Sequence, residues 1–215
     1  MNPTKLDHVA LWVAGRDAIA EFATEHLGMH VIERTDAFTL VGEDARRGKL
    51  TLFAAEGPRE RGALKHIGWR MPSIEGELEH ELGLGEDVHV ELVEGGGYDL
   101  DHVALFSSDP EATAAEYASF GFEAAEPGPS GCPRVEVGGA WIEFHPGEPG
   151  LPEKPLLNHL AVLVDSAEEH IAAANDLGIE IDDIKDAPNT YAVFLRGPEG
   201  VRIEYVEHKP TFSLT

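Results

Sequence analysis

Leu100-Asp101-His102-Val103-Ala104-Leu105-Phe106 is the stretch that decides how this chain is read, because it occurs four times. The other copies are Leu6-Asp7-His8-Val9-Ala10-Leu11-Trp12, Leu64-Lys65-His66-Ile67-Gly68-Trp69 and Leu157-Asn158-His159-Leu160-Ala161-Val162-Leu163. Each is Leu-x-His followed by small and apolar residues, and each reads as a β-strand with a histidine near its start. The histidines lie 58, 36 and 57 residues apart. Self-similarity at a fixed period fixes the architecture before any single motif does. The first and last intervals match, and the middle one marks a shortened copy.

Working outward from each strand gives the same order of elements. In the first unit Asp17 is placed to cap a helix running to Leu27, with Ile19, Phe22, Ala23 and Leu27 on one face and Gly28 as its stop. Strands are expected over 29–34, 37–41 and 49–55. In the second unit a helix is expected over 74–82, whose Glu75, Glu77, Glu79 and Glu81 read as a solvated face. One strand, 88–93, follows it, so about 20 residues are missing, roughly a hairpin. In the third, Asp109-Pro110 opens a helix ending near Phe120. A Gly- and Pro-rich loop over 126–133 then precedes a hairpin around Gly138-Gly139. In the fourth, a helix over 167–177 is followed by strands 179–184, 191–195 and 201–206. The order is βαβββ four times, an α+β fold, the second unit being short.

Four such units resemble the vicinal-oxygen-chelate superfamily, also described as glyoxalase/bleomycin-resistance/dioxygenase. The most specific match is Gly197-Pro198-Glu199-Gly200-Val201-Arg202-Ile203-Glu204-Tyr205. It is similar to the family's Asp-Pro-x-Gly-x-x-x-Glu final hairpin, with Gly197 in place of the usual Asp. The resemblance implies that units pair into cupped half-barrels, each around one metal. Four units imply two cups, expected as an N-terminal domain over 1–97 and a C-terminal domain over 98–215, with the metal in the second.

The candidate ligands of that metal are His102 and His159, on the first strands of their units, and Glu143 and Glu204, on the last. Side chains alternate along a strand, so one residue per strand can enter a cup without disturbing its neighbours. Two imidazoles and two carboxylates suit one six-coordinate divalent ion, Fe, Mn, Ni or Zn, with two positions left for substrate. Glu91 aligns with Glu204 if 88–93 is a last strand, whereas the first unit has Leu52 where the third has Glu143. The N-terminal cup, with His8 and His66, is therefore expected to be degenerate.

The resemblance implies two chemistries. Two His and two carboxylates resemble glyoxalase I and its epimerase relatives, in which the metal polarises a carbonyl and a carboxylate, here Glu143, shuttles the proton. Two His and one Glu resemble the Fe(II) extradiol ring-cleaving dioxygenases. The expectation is lyase or isomerase chemistry on a small oxygenated substrate, with ring cleavage as the alternative and a metal-free ligand-binding protein like the bleomycin-resistance members as the third reading. Extradiol enzymes generally carry a Tyr and a His at the places held here by Phe194 and Lys185. His145, which shares the parity of Glu143, is the candidate acid/base histidine. Arg196 and Arg202 share the faces of Phe194 and Glu204, and each reads either as a substrate-anion contact or as a salt bridge.

Composition narrows the partners. The chain of 215 residues has 40 acidic and 16 basic side chains, a formal net charge of −24. That field repels phosphate backbones and anionic membranes. Neither a long apolar run nor a leader-like N-terminus is found, so a cytoplasmic protein, monomer or homodimer, is expected. Self-repulsion of this size is best tolerated where salt screens it, which points to a salt-adapted organism. The lone Cys132 sits in a loop with no basic residue beside it in sequence and reads as a bystander.

Overall fold

A computed structural model describes residues 1–74 and 80–215 of the chain. The first unit comprises β1 (Lys5–Val13), α1 (Arg16–His26), β2 (His30–Arg34), β3 (Phe38–Asp44) and β4 (Arg47–Ala54). The second comprises β5 (Leu64–Met71), β6 (Glu81–Gly83) and β7 (His89–Glu94). The third runs β8 (Asp99–Ser107), α2 (Pro110–Tyr117), β9 (Glu123–Ala125), β10 (Arg134–Val137) and β11 (Ala140–Pro146). The fourth runs β12 (Leu157–Leu163), α3 (Ala167–Leu177), β13 (Ile181–Asp186), β14 (Thr190–Arg196) and β15 (Arg202–His208). The expected helix over 74–82 falls partly on 75–79, outside the described residues; Glu81 and Leu82 belong to a strand paired with Glu91 and Val90.

The helix ends follow local chemistry. Asp109 accepts from the Ala112 amide and is followed by proline, and Ser166 accepts from the Glu169 amide. Both satisfy amides that a helix start leaves open. Asp17 does not cap α1: the helix begins a residue earlier, and Asp17 binds Arg34 instead. The backbone just ahead of the helix is held from another unit. Glu86 takes the amides of Ala14 and Gly15. Its counterpart in the fourth unit, Glu199, takes the Ser108 amide and the Ser107 hydroxyl ahead of α2. Both glutamates have positive φ, 50° and 54°, in the turn before a last strand. Unit two is thus latched onto unit one, and unit four onto unit three.

Strand pairing corrects the expected domains. Among the described residues, one sheet of eight strands has the order β13-β14-β15-β12-β1-β4-β3-β2, and one of seven has β6-β7-β5-β8-β11-β10-β9. Units one and four share one sheet and units two and three the other. Neither half, 1–97 or 98–215, is a cup of its own. The seams are antiparallel pairs of the repeated strands, with each histidine opposite a small residue: His8 with Ala161, His159 with Ala10, His66 with Ala104 and His102 with Gly68.

Alternation sorts the faces. On β1, Val9, Leu11 and Val13 are fully buried, and on β12 and β15 so are Leu160, Val162, Ile203 and Tyr205, all in one core that draws on both sheets. Trp69 donates to the Leu27 carbonyl and Tyr205 to the Phe120 carbonyl, tying that core across unit boundaries. The residues between these line the cups. No helix among the described residues is long and apolar enough to cross a membrane.

Candidate metal centres

The cup built by units one and four brings three ligand atoms together. His8 Nε2 lies 3.0 Å from His159 Nε2 and 3.2 Å from Glu204 Oε2. His159 Nε2 is 3.0 Å from the same carboxylate oxygen. Donors at right angles around an ion with bonds of about 2.1 Å are separated by about 3.0 Å, so the spacing is that of ligands around one cation. The tautomers agree. His8 Nδ1 donates to Asp7 at 2.8 Å and His159 Nδ1 to the Asn158 amide oxygen at 2.9 Å. Each ring thereby turns a coordinating nitrogen towards the carboxylate, the usual outer-shell support of a metal histidine.

The surroundings of His8 are anionic. Asp7, 1% exposed, accepts from Lys49, His208 and His8 together. Burial would raise its carboxyl, but Lys49, His208 and His8 hold it well below the usual range. Burial opposes a proton on His8, yet the Asp7 and Glu204 carboxylates overcome it and raise this imidazole to about 9. Glu204 is lowered in spite of burial by His159 and His8, while burial lowers His159. One proton on His8 therefore stands where a cation fits, held by acceptors on either side.

Above this cluster the cup opens into a cavity of about 620 Å³. Trp12, Phe38, Phe53 and Phe194 give it aromatic walls, with Phe212 from the C-terminal segment beside them. The Phe194 ring meets His159 edge-on, centroids 5.2 Å apart.

The cup of units two and three holds a second cluster, His66, Glu91 and His102. His66 and His102 approach to 2.9 Å at Nε2, and Glu91 Oε2 is 3.1 Å from His66. Its charge environment is the reverse of the first. His66 Nδ1 faces the Lys65 ammonium at 3.3 Å, so it accepts, and its Nε2 carries the hydrogen. That hydrogen satisfies His102 or Glu91 without any ion. Burial, with His102 and Lys65 beside it, pushes His66 down to about 3. A cation fits here only after His66 changes tautomer against Lys65.

The four residues expected to share one metal are divided between the sheets. His159 and Glu204 are joined by His8 in the first cup; His102 is in the second, with His66 and Glu91. Glu143 faces the second cup, where its carboxylate accepts from Ser130 at 3.1 Å and meets His145 at 3.4 Å and Arg134 at 3.9 Å. His145 Nδ1 in turn lies 3.4 Å from the Cys132 thiol, which sequence adjacency had not revealed. The last-strand positions follow one rule: the residue two past each histidine pairs with the ligand position, Ala161 with Glu204, Gly68 with Glu91, Ala104 with Glu143 and Ala10 with Thr51. The counterpart of Glu143 in the first unit is therefore Thr51; Leu52 lies in the core. Lys49 and His208 were missed, although strand parity from Thr51 and Glu204 points to both. Arg196 and Arg202 form salt bridges, both to Asp182.

The sequence profile of a family described as the Glyoxalase/Bleomycin resistance protein/Dioxygenase superfamily matches residues 5–78 and 99–205. No curated protein matches the chain. Among solved structures, a candidate dioxygenase from Bacillus subtilis superposes with a TM-score of 0.77 at 14% identity, over 98% of this chain and 87% of its own. Glyoxalase I from Zea mays gives 0.71 at 14% identity, over 94% and 92%. The cppA protein of Streptococcus pneumoniae gives 0.63 at 16% identity, over 96% and 98%. At these identities the likeness is one of fold.

Proposed function

The chain belongs to the glyoxalase/bleomycin resistance protein/dioxygenase superfamily, and from that premise we propose that its first cup is the active one, a divalent-metal site for oxygen-dependent cleavage of an aromatic ring bearing two adjacent oxygens. The observation that carries this reading is Thr51 at the fourth ligand position. With a hydroxyl there in place of a carboxylate, His8, His159 and Glu204 form a two-His, one-carboxylate triad that leaves one face open, the set associated with non-haem Fe(II). A bound metal would supply Lewis acidity and a place for both substrate oxygens.

The chain's own residues do the rest. Asp7 and Asn158 fix the ring orientations of the two histidines. Trp12, Phe53 and Phe194 offer apolar faces to a flat ring and exclude water from it. The displaced His8 proton has a path to solvent through Asp7 and His208, which lines the cavity.

A second reading concerns the other cup. His66, Glu91 and His102 with Glu143 at the matching register give the two-His, two-carboxylate set of the lyase and isomerase reading. Lys65 beside His66 and the Ser130 hydroxyl on Glu143 weigh against it.

The test is oxygen uptake on protein reconstituted anaerobically with Fe(II) and given simple catechols. Uptake lost in His8→Ala and His159→Ala but kept in His66→Ala supports the assignment. Uptake that follows His66, or none in the wild type, refutes it.

A further inference from the structure

Arg202 stands two residues before Glu204 on β15, and strand alternation puts both in the first cup. Its guanidinium carbon lies 4.0 Å from the centroid of the Phe194 ring, which in turn packs on His159. A cation so placed would ordinarily mark a site for a carboxylate or phosphate ligand.

Here it is already satisfied. Consecutive residues of a regular strand point to opposite faces, so one aspartate of the Asp182-Asp183 pair would be expected to reach Arg202. The pairing of β13 with β14 slips between Ile181 and Asp183, a bulge that re-aims side chains. Both carboxylates then meet the guanidinium: Asp182 bonds Nε, and Asp183 lies 3.6 Å from Nη2. The other cations of the cavity are matched as well. Lys49 is held by Asp7 and the Ala45 carbonyl, and Lys185 pairs with Asp183 at 2.8 Å. Among the described residues lining the cavity, no lysine or arginine is without a carboxylate, while Glu33 adds a further negative charge.

We infer that the first cup selects an uncharged aromatic diol, and that Asp182 and Asp183 set this choice by neutralising Arg202. An anionic substituent entering the cavity would lose its hydration and gain no free cation, and it would face the field of a chain with net charge −24. A neutral ring instead stacks on the flat, charge-balanced Arg202–Phe194 pair. The inference rests on the reading that the two ligand oxygens are held at His8, His159 and Glu204.

The test is equilibrium binding to Zn(II)-loaded protein under argon, followed by calorimetry and by quenching of tryptophan fluorescence, since Trp12 lines the cavity. The probes are 4-methylcatechol and 3,4-dihydroxybenzoate. In the wild type the neutral probe is expected to bind at least about tenfold tighter. In Asp182→Asn/Asp183→Asn that gap closes or reverses, and adding Arg202→Gln restores it. If the double variant does not fold, Asp183→Asn alone, which keeps the Asp182 bonds to both arginines, is expected to narrow the gap. Wild type that prefers the benzoate, or a gap unmoved by these substitutions, overturns the inference while leaving the ring-cleavage reading standing. Failure of both probes to bind overturns the inference and the ring-cleavage reading together.

Discussion

His8 and His159 are 151 residues apart in the chain and 3.0 Å apart at their Nε2 atoms. They meet because β1 and β12 form the seam of one sheet, and they meet over Glu204, which the parallel pairing of β15 with β12 brings alongside. Two nitrogens and a carboxylate oxygen, each oriented from behind, make a cation the economical occupant of the point between them.

Metal content should divide by cup. His8→Ala or Glu204→Gln is expected to weaken the first-cup metal by more than about 100-fold, since losing a ligand costs more than losing its outer-shell partner. His66→Ala should leave it intact. Elemental mass spectrometry on the variants, alongside Mn(II) titration, decides this; metal retained in His8→Ala but lost in His66→Ala would reverse the assignment.

The two cups should also differ in pH dependence. A metal must displace the proton that Asp7 and Glu204 hold on His8, whose value is raised to about 9. Below that value first-cup affinity should climb by about tenfold per pH unit, levelling above it. In the metal-free protein the same proton contributes stability that is fully present below the unfolded value, 6.5, and fades as the pH rises through about 9. His66, lowered to about 3, has no proton to displace, so any binding in the second cup should be flat over this range. Calorimetric titrations from pH 6 to pH 9.5 would show the contrast; parallel curves for the two cups would contradict it.

Gly68 is the one seam position without a Cβ, and a methyl there would lie 2.2 Å from His102 Nδ1. Gly68→Ala is expected to displace the His102 ring, to cost about 1–3 kcal/mol and to abolish any second-cup metal while sparing the first. Urea denaturation together with metal counting reads both effects.

Glu199 binds the Ser108 amide and the Ser107 hydroxyl, holding unit four against unit three. Glu199→Gln keeps the shape and removes the charge; it should cost about 1–2 kcal/mol, because hydrogen bonds to a carboxylate are the stronger kind. Glu86→Gln should act alike on units one and two. A urea midpoint within error of wild type for both would show that these contacts do not join the units.

With net charge −24, thermal stability should rise as KCl goes from millimolar to molar concentrations, as screening relieves self-repulsion. A melting temperature that falls over that series would refute the salt-adaptation reading.

Much of this was legible in the residues. Strand alternation identified the cup faces of β8, β11, β12 and β15, and with them Glu143 and Glu204, because side-chain parity is a local property. Capping chemistry located α2, since Asp109-Pro110 acts within three residues of itself. It failed at α1, where Asp17 makes no cap and the preceding backbone is held by Glu86, 71 residues on from Gly15, a contact no local pattern encodes. Leu52 was matched to Glu143 by sequence alone; one step of register separates it from Thr51, and one step exchanges core for cup.

The sequence by itself determined four repeated units, the second shortened, with their apolar and cup-facing sides and a cup-facing histidine in each, since all of these follow from short-range periodicity. Only the tertiary structure decided that unit one pairs with unit four and unit two with unit three, and so which histidines meet. The physical reason lies in the seam. Every repeated strand offers a histidine and, two residues on, an alanine or glycine, so any two would interlock equally well. What distinguishes the partners lies behind the sheets, in unlike long-range contacts such as Trp69 with Leu27 and Tyr205 with Phe120, which pack consecutive units back to back and leave the repeated strands to pair across the chain.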